Sequence, residues 1–250
     1  MNGTPTGLLE RLQQARQRKE RLLAVLIDPD NAQPEALAYR IQLAHAAGCN
    51  WVLLGGSFLG QGKVETAAAH IRRLTSLPLV LFPGGPEQLT GQADGVLLLS
   101  LISGRNPELL IGQHVKAAPR LEQLDIEILP TGYLLVDTGK PTTASYMSGT
   151  APLPADKPEL AAYTALAGQQ LGLQCIYLDA GSGAIAPPPL AMVQAIAHRT
   201  RLPLIVGGGI RNAEQAAALY EAGANLVVVG TALEQPGAEK LFQALQSIRL

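Results

Sequence analysis

Cys175-Ile176-Tyr177-Leu178-Asp179-Ala180-Gly181-Ser182-Gly183 is an apolar, strand-like run that ends in a glycine-bearing turn carrying one carboxylate. Two later runs end in the same manner: Pro203 to Gly209 closes on Gly207-Gly208-Gly209, and Leu226 to Ala232 contains Gly230-Thr231. Near-continuous apolarity marks strands buried on both faces, the pattern of a parallel sheet. Glycine lets backbone N–H groups close on an anion, and a helix starting just beyond adds the positive end of its dipole. Three such turns in succession read as a phosphate cup. Asp179 beside it points to chemistry on a phosphorylated small molecule.

Five further runs of the same kind lie upstream, at Leu22–Asp28, Trp51–Ser57, Leu77–Pro83, Gly95–Leu101 and Glu127–Asp137. Between most of the runs are amphipathic stretches: Pro34–Ala47, Pro107–Ala118, Pro158–Gln170, Pro187–Arg199 and Asn212–Ala222. These start on Pro or Asn and often have Gly just past the end, as helices do. Eight strand-helix units in 250 residues, with glycine and polar residues gathered at the strand ends, fit a single α/β domain, a (β/α)8 TIM barrel with its site at the C-terminal face. A doubly wound sheet is the alternative.

Three segments depart from the ideal unit. Residues 1–21 contain an extra amphipathic helix, Leu8 to Arg21, placed to plug the barrel floor. Between Phe82 and Gly95 only Pro86–Gln92 is helical material, which predicts a third helix reduced to one turn or absent and a gap in the barrel side. Residues 138–156 are rich in Gly, Pro, Ser and Thr without periodicity. A loop of that length in a compact domain is usually functional, and it reads as a lid.

Composition narrows the function classes. The chain is 47% hydrophobic and 16% charged with a formal net charge of −1, so the basic footprint of a nucleic-acid binder is missing. Cys49 and Cys175 lack metal or redox spacing and read as small buried hydrophobes. No apolar run has bilayer-spanning length, and the N-terminal segment lacks a signal-peptide core, so a cytoplasmic protein is expected. The four histidines, His45, His70, His114 and His198, fall within predicted helices and form no metal-spaced pair.

Each candidate site residue has a structural reading beside the functional one. Asp28, in Asp28-Pro29-Asp30, ends the first strand, where a carboxylate is costly to bury unless used or paired. It could hold a magnesium ion together with Ser57, after Gly55-Gly56 at the tip of the second strand, because such a cation uses few protein oxygens beside waters and substrate phosphates. Ser57 also fits a helix cap, and Asp30 a turn or cap. Asp179 is either a turn residue or the base that takes a proton from a substrate hydroxyl. Tyr177 shares its face through the two-residue period of a strand. Ser182, Gly208, Gly209, Gly230 and Thr231 are the phosphate contacts. Lys140 and Arg105 are loop cations that could clamp a diphosphate or simply be solvated.

With Ser100 to His114 and Tyr146-Met147-Ser148, these segments resemble the geranylgeranylglyceryl phosphate synthase and heptaprenylglyceryl phosphate synthase family, over Leu22 to Leu233. The resemblance implies a TIM-barrel prenyltransferase that joins a polyprenyl diphosphate to the 3-hydroxyl of sn-glycerol 1-phosphate, with Mg2+ and release of diphosphate, in ether-lipid biosynthesis. It implies geranylgeranyl diphosphate as donor and a homo-oligomer, and so greasy a substrate implies transient membrane contact. The family's metal positions fall on Asp28 and Ser57, and its glycerol-phosphate positions on Tyr177, Leu178, Asp179, Ala180, Gly181, Ser182, Gly183, Gly208, Gly209, Gly230 and Thr231. The catalytic pair is then Asp179 and Tyr177, with Phe58, Leu98 and Leu101 in a prenyl groove. The family usually has Glu where this chain has Asp179, and a side chain one methylene shorter places its oxygen roughly one C–C bond further back, a scale that matters for rate. Two other readings share the phosphate cup: a sugar-phosphate barrel isomerase or synthase, and a non-catalytic phosphate-ligand binding protein.

Overall fold

The computed structural model describes residues 7–235 and 237–248. Strands β1 (Leu22–Ile27), β2 (Trp51–Leu54), β3 (Leu79–Leu81), β4 (Gly95–Leu101), β5 (Glu127–Leu135), β6 (Cys175–Asp179), β7 (Leu204–Gly207) and β8 (Leu226–Val229) pair in that order, all parallel, and β8 closes on β1. Around them run helices α1 (Leu8–Arg18), α2 (Pro34–Ala46), α3 (Val64–Leu74), α4 (Gln113–Leu121), α5 (Thr143–Ser148), α6 (Pro158–Gln170), α7 (Leu190–Arg199), α8 (Ala213–Glu221) and α9 (Ala238–Ser247). This is the expected (β/α)8 barrel, and the doubly wound alternative is excluded by closure.

The two-residue period of each strand sorts side chains into two cores. Leu22, Ala24, Leu53, Leu97, Cys175, Tyr177, Ile205 and Val228 fill the barrel interior. Leu23, Val25, Ile27, Ile176, Leu178, Val227 and Val229 face the helical ring. The inward sense of Cys175 and Tyr177 carries Asp179, two residues further along β6, to the inside of the barrel mouth.

Helix α1 is the extra N-terminal helix, and its buried Leu8, Leu12 and Ala15 belong to the interior core. Glu127, at the start of β5, accepts the backbone N–H groups of Leu8 at 2.5 Å and Leu9 at 2.9 Å. It thereby satisfies two donors that a helix start leaves open. At the other end Arg16 donates to the carbonyls of Ala197 and Thr200, at the close of α7.

The third helix is reduced to one 3-10 turn, Pro86–Gln88. Leu98, which faces the helical ring from β4, is consequently only partly covered. Helix formation after β4 starts with a wide π-helical turn, Glu108–Gly112, and continues into α4. Several strands stop short of their sequence-predicted ends. Asp28, Ser57 and Pro83 lie beyond the ladder because the chain turns there to build the barrel mouth.

Residues 138–156, expected to lack regular structure, contain α5. Thr142 caps it reciprocally: Ser145 N–H donates to the Thr142 hydroxyl, and the Ser145 hydroxyl accepts from Thr142 N–H. Both cysteines are free and buried, and burial pushes the Cys175 thiol up to about 12. No helix among the described residues is long and apolar enough to cross a membrane.

Candidate active site

At the C-terminal mouth lies a cavity of about 840 Å³ whose lining includes Asp28, Ser57, Tyr177, Asp179, Ser182, Gly183, Gly208, Gly209, Gly230 and Thr231. The strand tips of β1, β2, β6, β7 and β8 therefore converge on one space. The Ser182 and Thr231 hydroxyls stand 3.3 Å apart, which joins the turn after β6 to the turn after β8.

Asp179 is buried, with 6% of its surface exposed. Its Oδ2 accepts from the Tyr133 hydroxyl at 2.6 Å and its Oδ1 from the Gly181 N–H at 2.8 Å. Burial raises its pKa, and the two hydrogen bonds oppose the rise. A carboxylate raised in this manner is a stronger base, when ionised, than a solvated one, and the two hydrogen bonds favour its charged form against the burial. Burial also raises the Tyr133 and Tyr177 phenols well above their ordinary value, with Asp179 adding to the shift. Both rings remain protonated, and Tyr133 is a donor to Asp179.

Gly208 touches Asp179. A Cβ on Gly208 would lie 2.7 Å from Asp179 Oδ1, and the residue has φ +81, a conformation that suits glycine. Gly207 leaves room for Tyr177 in the same manner, since a Cβ there would stand 2.4 Å from the phenol oxygen. The glycines of the β7 turn thus admit the two β6 side chains as well as exposing backbone amides.

Leu178, Ala180 and Gly181 do not line the cavity. Leu178 points into the core beneath the helical ring. The Gly181 amide is occupied by Asp179, and a Cβ on Gly181 would run into Thr142. Lys140 and Arg105 line neither the cavity nor the groove described below. Arg105 Nη1 donates to the carbonyl of Gly104 at 2.7 Å. Asp30 and Asp28 form a turn cap, with Asp28 Oδ1 accepting from Asp30 N–H at 2.9 Å.

Asp28 is half-buried; desolvation, together with the charge of Asp30, raises its pKa against the lowering hydrogen bond from Asp30 N–H and the lowering charge of Arg40. A carboxylate in that position gains from a nearby cation. No group of three or more His, Cys, Asp or Glu side chains with metal-binding spacing occurs among the described residues. One carboxylate and one hydroxyl at this mouth fit a hard cation that keeps waters and takes substrate phosphate oxygens, and they do not fit an all-protein cage.

Beside the cavity runs an apolar groove of about 490 Å³, in the gap left by the reduced third helix. Phe58, Leu98 and Leu101 line it, as do Leu109 and Met147. Gly56, Ser57, Phe58, Phe82, Tyr133 and Ala144 border both spaces, so groove and cavity are continuous. Phe82 stacks on Tyr177 with ring centroids 4.8 Å apart, and Tyr133 meets each edge-on at 5.9 and 5.7 Å. The four histidines lie in α2, α3, α4 and α7. His114 is more than a helix-packing residue: it borders the groove, with Nε2 2.9 Å from the Leu99 carbonyl oxygen.

Tyr133 and Arg211 are among the lining residues that escaped the reading of the sequence. Tyr133 lies 46 positions from the Asp179 it holds; only the barrel register, which sets Tyr133 beside Tyr177, brings them together. Arg211 lines the cavity and donates to the Ala184 carbonyl at 3.0 Å, bridging the β7 and β6 turns. Its place directly after Gly207-Gly208-Gly209-Ile210 was the available signal.

Comparison with known proteins agrees with this geometry. Residues 15–248 match the PcrB family. The geranylgeranylglyceryl phosphate synthase of Spirosoma linguale is 51% identical over 212 residues, covering 85% of each chain. That of Thermococcus gammatolerans is 38% identical over 97% of this chain and 96% of its own. The crystal structure of (S)-3-O-geranylgeranylglyceryl phosphate synthase from Thermoplasma acidophilum, in complex with its substrate sn-glycerol-1-phosphate, superposes with a TM-score of 0.90 at 30% identity, over 98% of this chain and 99% of that one. By its closed barrel, its mouth and these matches along nearly its whole length, the chain belongs to the PcrB family.

Proposed function

We propose that this chain is a cytoplasmic prenyltransferase of the geranylgeranylglyceryl phosphate synthase type. It joins geranylgeranyl diphosphate to the 3-hydroxyl of sn-glycerol 1-phosphate and releases diphosphate. The observation that carries the reading is the continuity of an apolar groove with a polar cavity that holds a buried carboxylate beside glycine turns. One space suits a long hydrocarbon and the other a small phosphoester.

In this reading the turns at Gly208-Gly209 and Gly230-Thr231, with the Ser182 hydroxyl, receive the phosphate of glycerol phosphate. Arg211, the basic residue on the lining, adds positive charge to that side. Tyr177 and Asp179 border the glycerol. Asp179 accepts the proton of the 3-hydroxyl as its oxygen forms a C–O bond with the allylic carbon and the bond from that carbon to diphosphate breaks. Tyr133 keeps the carboxylate turned toward the cavity. Phe82 and Tyr133 border the open junction of the two spaces, and together with Tyr177 they give it an aromatic wall that limits water there. Asp28 and Ser57 are the residues that would hold Mg2+. The ion, when bound, supplies Lewis-acid stabilisation of charge on the departing diphosphate.

A sugar-phosphate isomerase or synthase would use the cup and leave the groove without a role. A non-catalytic binding protein would have no need of a buried carboxylate held by a phenol. Incubating the protein with radiolabelled sn-glycerol 1-phosphate, magnesium and prenyl diphosphates of graded length separates the three. Transfer of label to an organic-extractable product is expected, with the rate depending on donor length. Conversion of label without any donor, or binding without consumption, would replace the proposal with one of the other two.

A further inference from the structure

The turn that carries Ser57 and Phe58 is pinned on both flanks by side chains from the neighbouring strand tips. On one side Asp30, after β1, accepts the backbone N–H groups of Gly60 at 2.7 Å, Gln61 at 2.9 Å and also Gly62. On the other side Gln88, in the 3-10 turn after β3, pairs with Gly56 in both directions. Its Nε2 donates to the Gly56 carbonyl at 3.0 Å, and its Oε1 accepts from the Gly56 N–H at 3.4 Å. Gln88 is buried, with 2% exposed, whereas glutamine is mostly found at surfaces.

These contacts tie Asp28 and Ser57 into one unit. The Asp30 backbone N–H holds the Asp28 carboxylate, while the Asp30 side chain holds the turn that follows Ser57. Gly62 packs so closely on Pro29 that a Cβ there would stand 2.4 Å from the Pro29 carbonyl carbon. A turn with glycine at 55, 56, 60 and 62 has high conformational freedom when unfolded. Three charge-assisted acceptor contacts from one carboxylate are a strong means of ordering it. The side-chain hydrogen bonds of Asp30 and Gln88 go to this turn and to none of the residues of the glycerol-phosphate cup.

We infer that Asp30 and Gln88 are positioning residues for the diphosphate half of the reaction, fixing Ser57 opposite Asp28 and Phe58 at the mouth of the groove. This rests on the role given above to Asp28 and Ser57. Residues that orient metal-ligating groups typically change metal affinity or activity by roughly 10–100-fold when lost. A loss of that size, confined to one substrate, is the signature of positioning.

The test varies both substrates and Mg2+ on the full chain carrying Asp30→Ala, Asp30→Asn or Gln88→Leu. Asp30→Ala is expected to raise the KM for geranylgeranyl diphosphate and the Mg2+ concentration for half-maximal rate by roughly 10–100-fold. The KM for sn-glycerol 1-phosphate, and its calorimetric affinity without donor, stay within about twofold, the margin usual for distant sites. Asp30→Asn, which keeps one acceptor oxygen, falls between. Amide hydrogen exchange at residues 60–62 quickens in Asp30→Ala irrespective of turnover. An equal rise in both KM values would overturn the inference in favour of a general structural role, and so would faster exchange with unchanged donor kinetics. A wild-type chain that neither binds nor consumes the donor would remove the underlying reading and this inference with it. A working wild type matched by Asp30→Ala overturns this inference alone.

Discussion

The Tyr133 hydroxyl donates to Asp179 Oδ2 at 2.6 Å, from one barrel strand to the next. This bond opposes the effect of burial on how the carboxylate titrates. Burial raises the Asp179 pKa, and the Tyr133 and Gly181 hydrogen bonds lower it. A base works ionised, so the rate climbs as pH rises through the elevated value and falls away below it. Tyr133→Phe removes one of the lowering influences, and the acidic limb of kcat/KM moves to higher pH. A pH profile of kcat/KM for sn-glycerol 1-phosphate checks this; a limb that stays put or moves down contradicts it.

Gly208 is the backbone that Asp179 rests against. In Gly208→Ala the new methyl would meet Asp179 Oδ1 at 2.7 Å and the Gly181 nitrogen at 2.8 Å, at φ +81. A loss of about 1–3 kcal/mol in unfolding free energy is expected, together with weaker binding of glycerol phosphate. Denaturant melts and calorimetry with sn-glycerol 1-phosphate measure the two effects, and a variant unchanged in both would refute the packing argument.

Ala117 is buried on α4 and lines the groove. Ala117→Phe fills part of that volume, so long donors should suffer more than short ones. The ratio of kcat/KM for geranylgeranyl to geranyl diphosphate is expected to fall by roughly tenfold or more, since a single methylene in an apolar pocket is worth that scale. A ratio that does not change would show that the prenyl chain lies elsewhere.

Glu127 caps α1 at the end of the barrel opposite the site, where it accepts from Leu8 and Leu9 N–H. Glu127→Gln replaces one of the two acceptor oxygens with an NH2 donor and removes the charge facing the helix dipole, so stability drops by about 0.5–2 kcal/mol. The melting temperature falls while kcat/KM is preserved. Loss of activity without loss of stability would mean that the barrel floor communicates with the mouth.

The barrel was legible because parallel strands buried on both faces write themselves as apolar runs. Gly95–Leu101 is bounded in the structure as in the sequence, and Pro158–Gln170 starts and stops at its predicted residues. Strand ends were overrun at Asp28, Ser57 and Pro83, since a residue that leaves the ladder to form a site looks the same in sequence as one that continues it. The convergence of Asp179 with Gly208 and Thr231 on one cavity could be anticipated from the barrel itself, which gathers every strand end at one mouth. Helix α5 was hidden because a six-residue helix of Thr, Ala, Ser, Tyr and Met has too few turns to show a period. Tyr133 and Gln88 were hidden for another reason: each acts through a partner on a different strand tip, and only register reveals the pairing.

The most direct measurement compares wild type with Asp179→Asn for transfer of radiolabelled sn-glycerol 1-phosphate onto geranylgeranyl diphosphate, with calorimetric binding of glycerol phosphate measured alongside. Removing a general base costs roughly 10²–10⁴-fold in rate. The expected result is a loss of that size in Asp179→Asn with glycerol phosphate still bound. Full turnover by the variant, or no transfer by the wild type, would contradict the account.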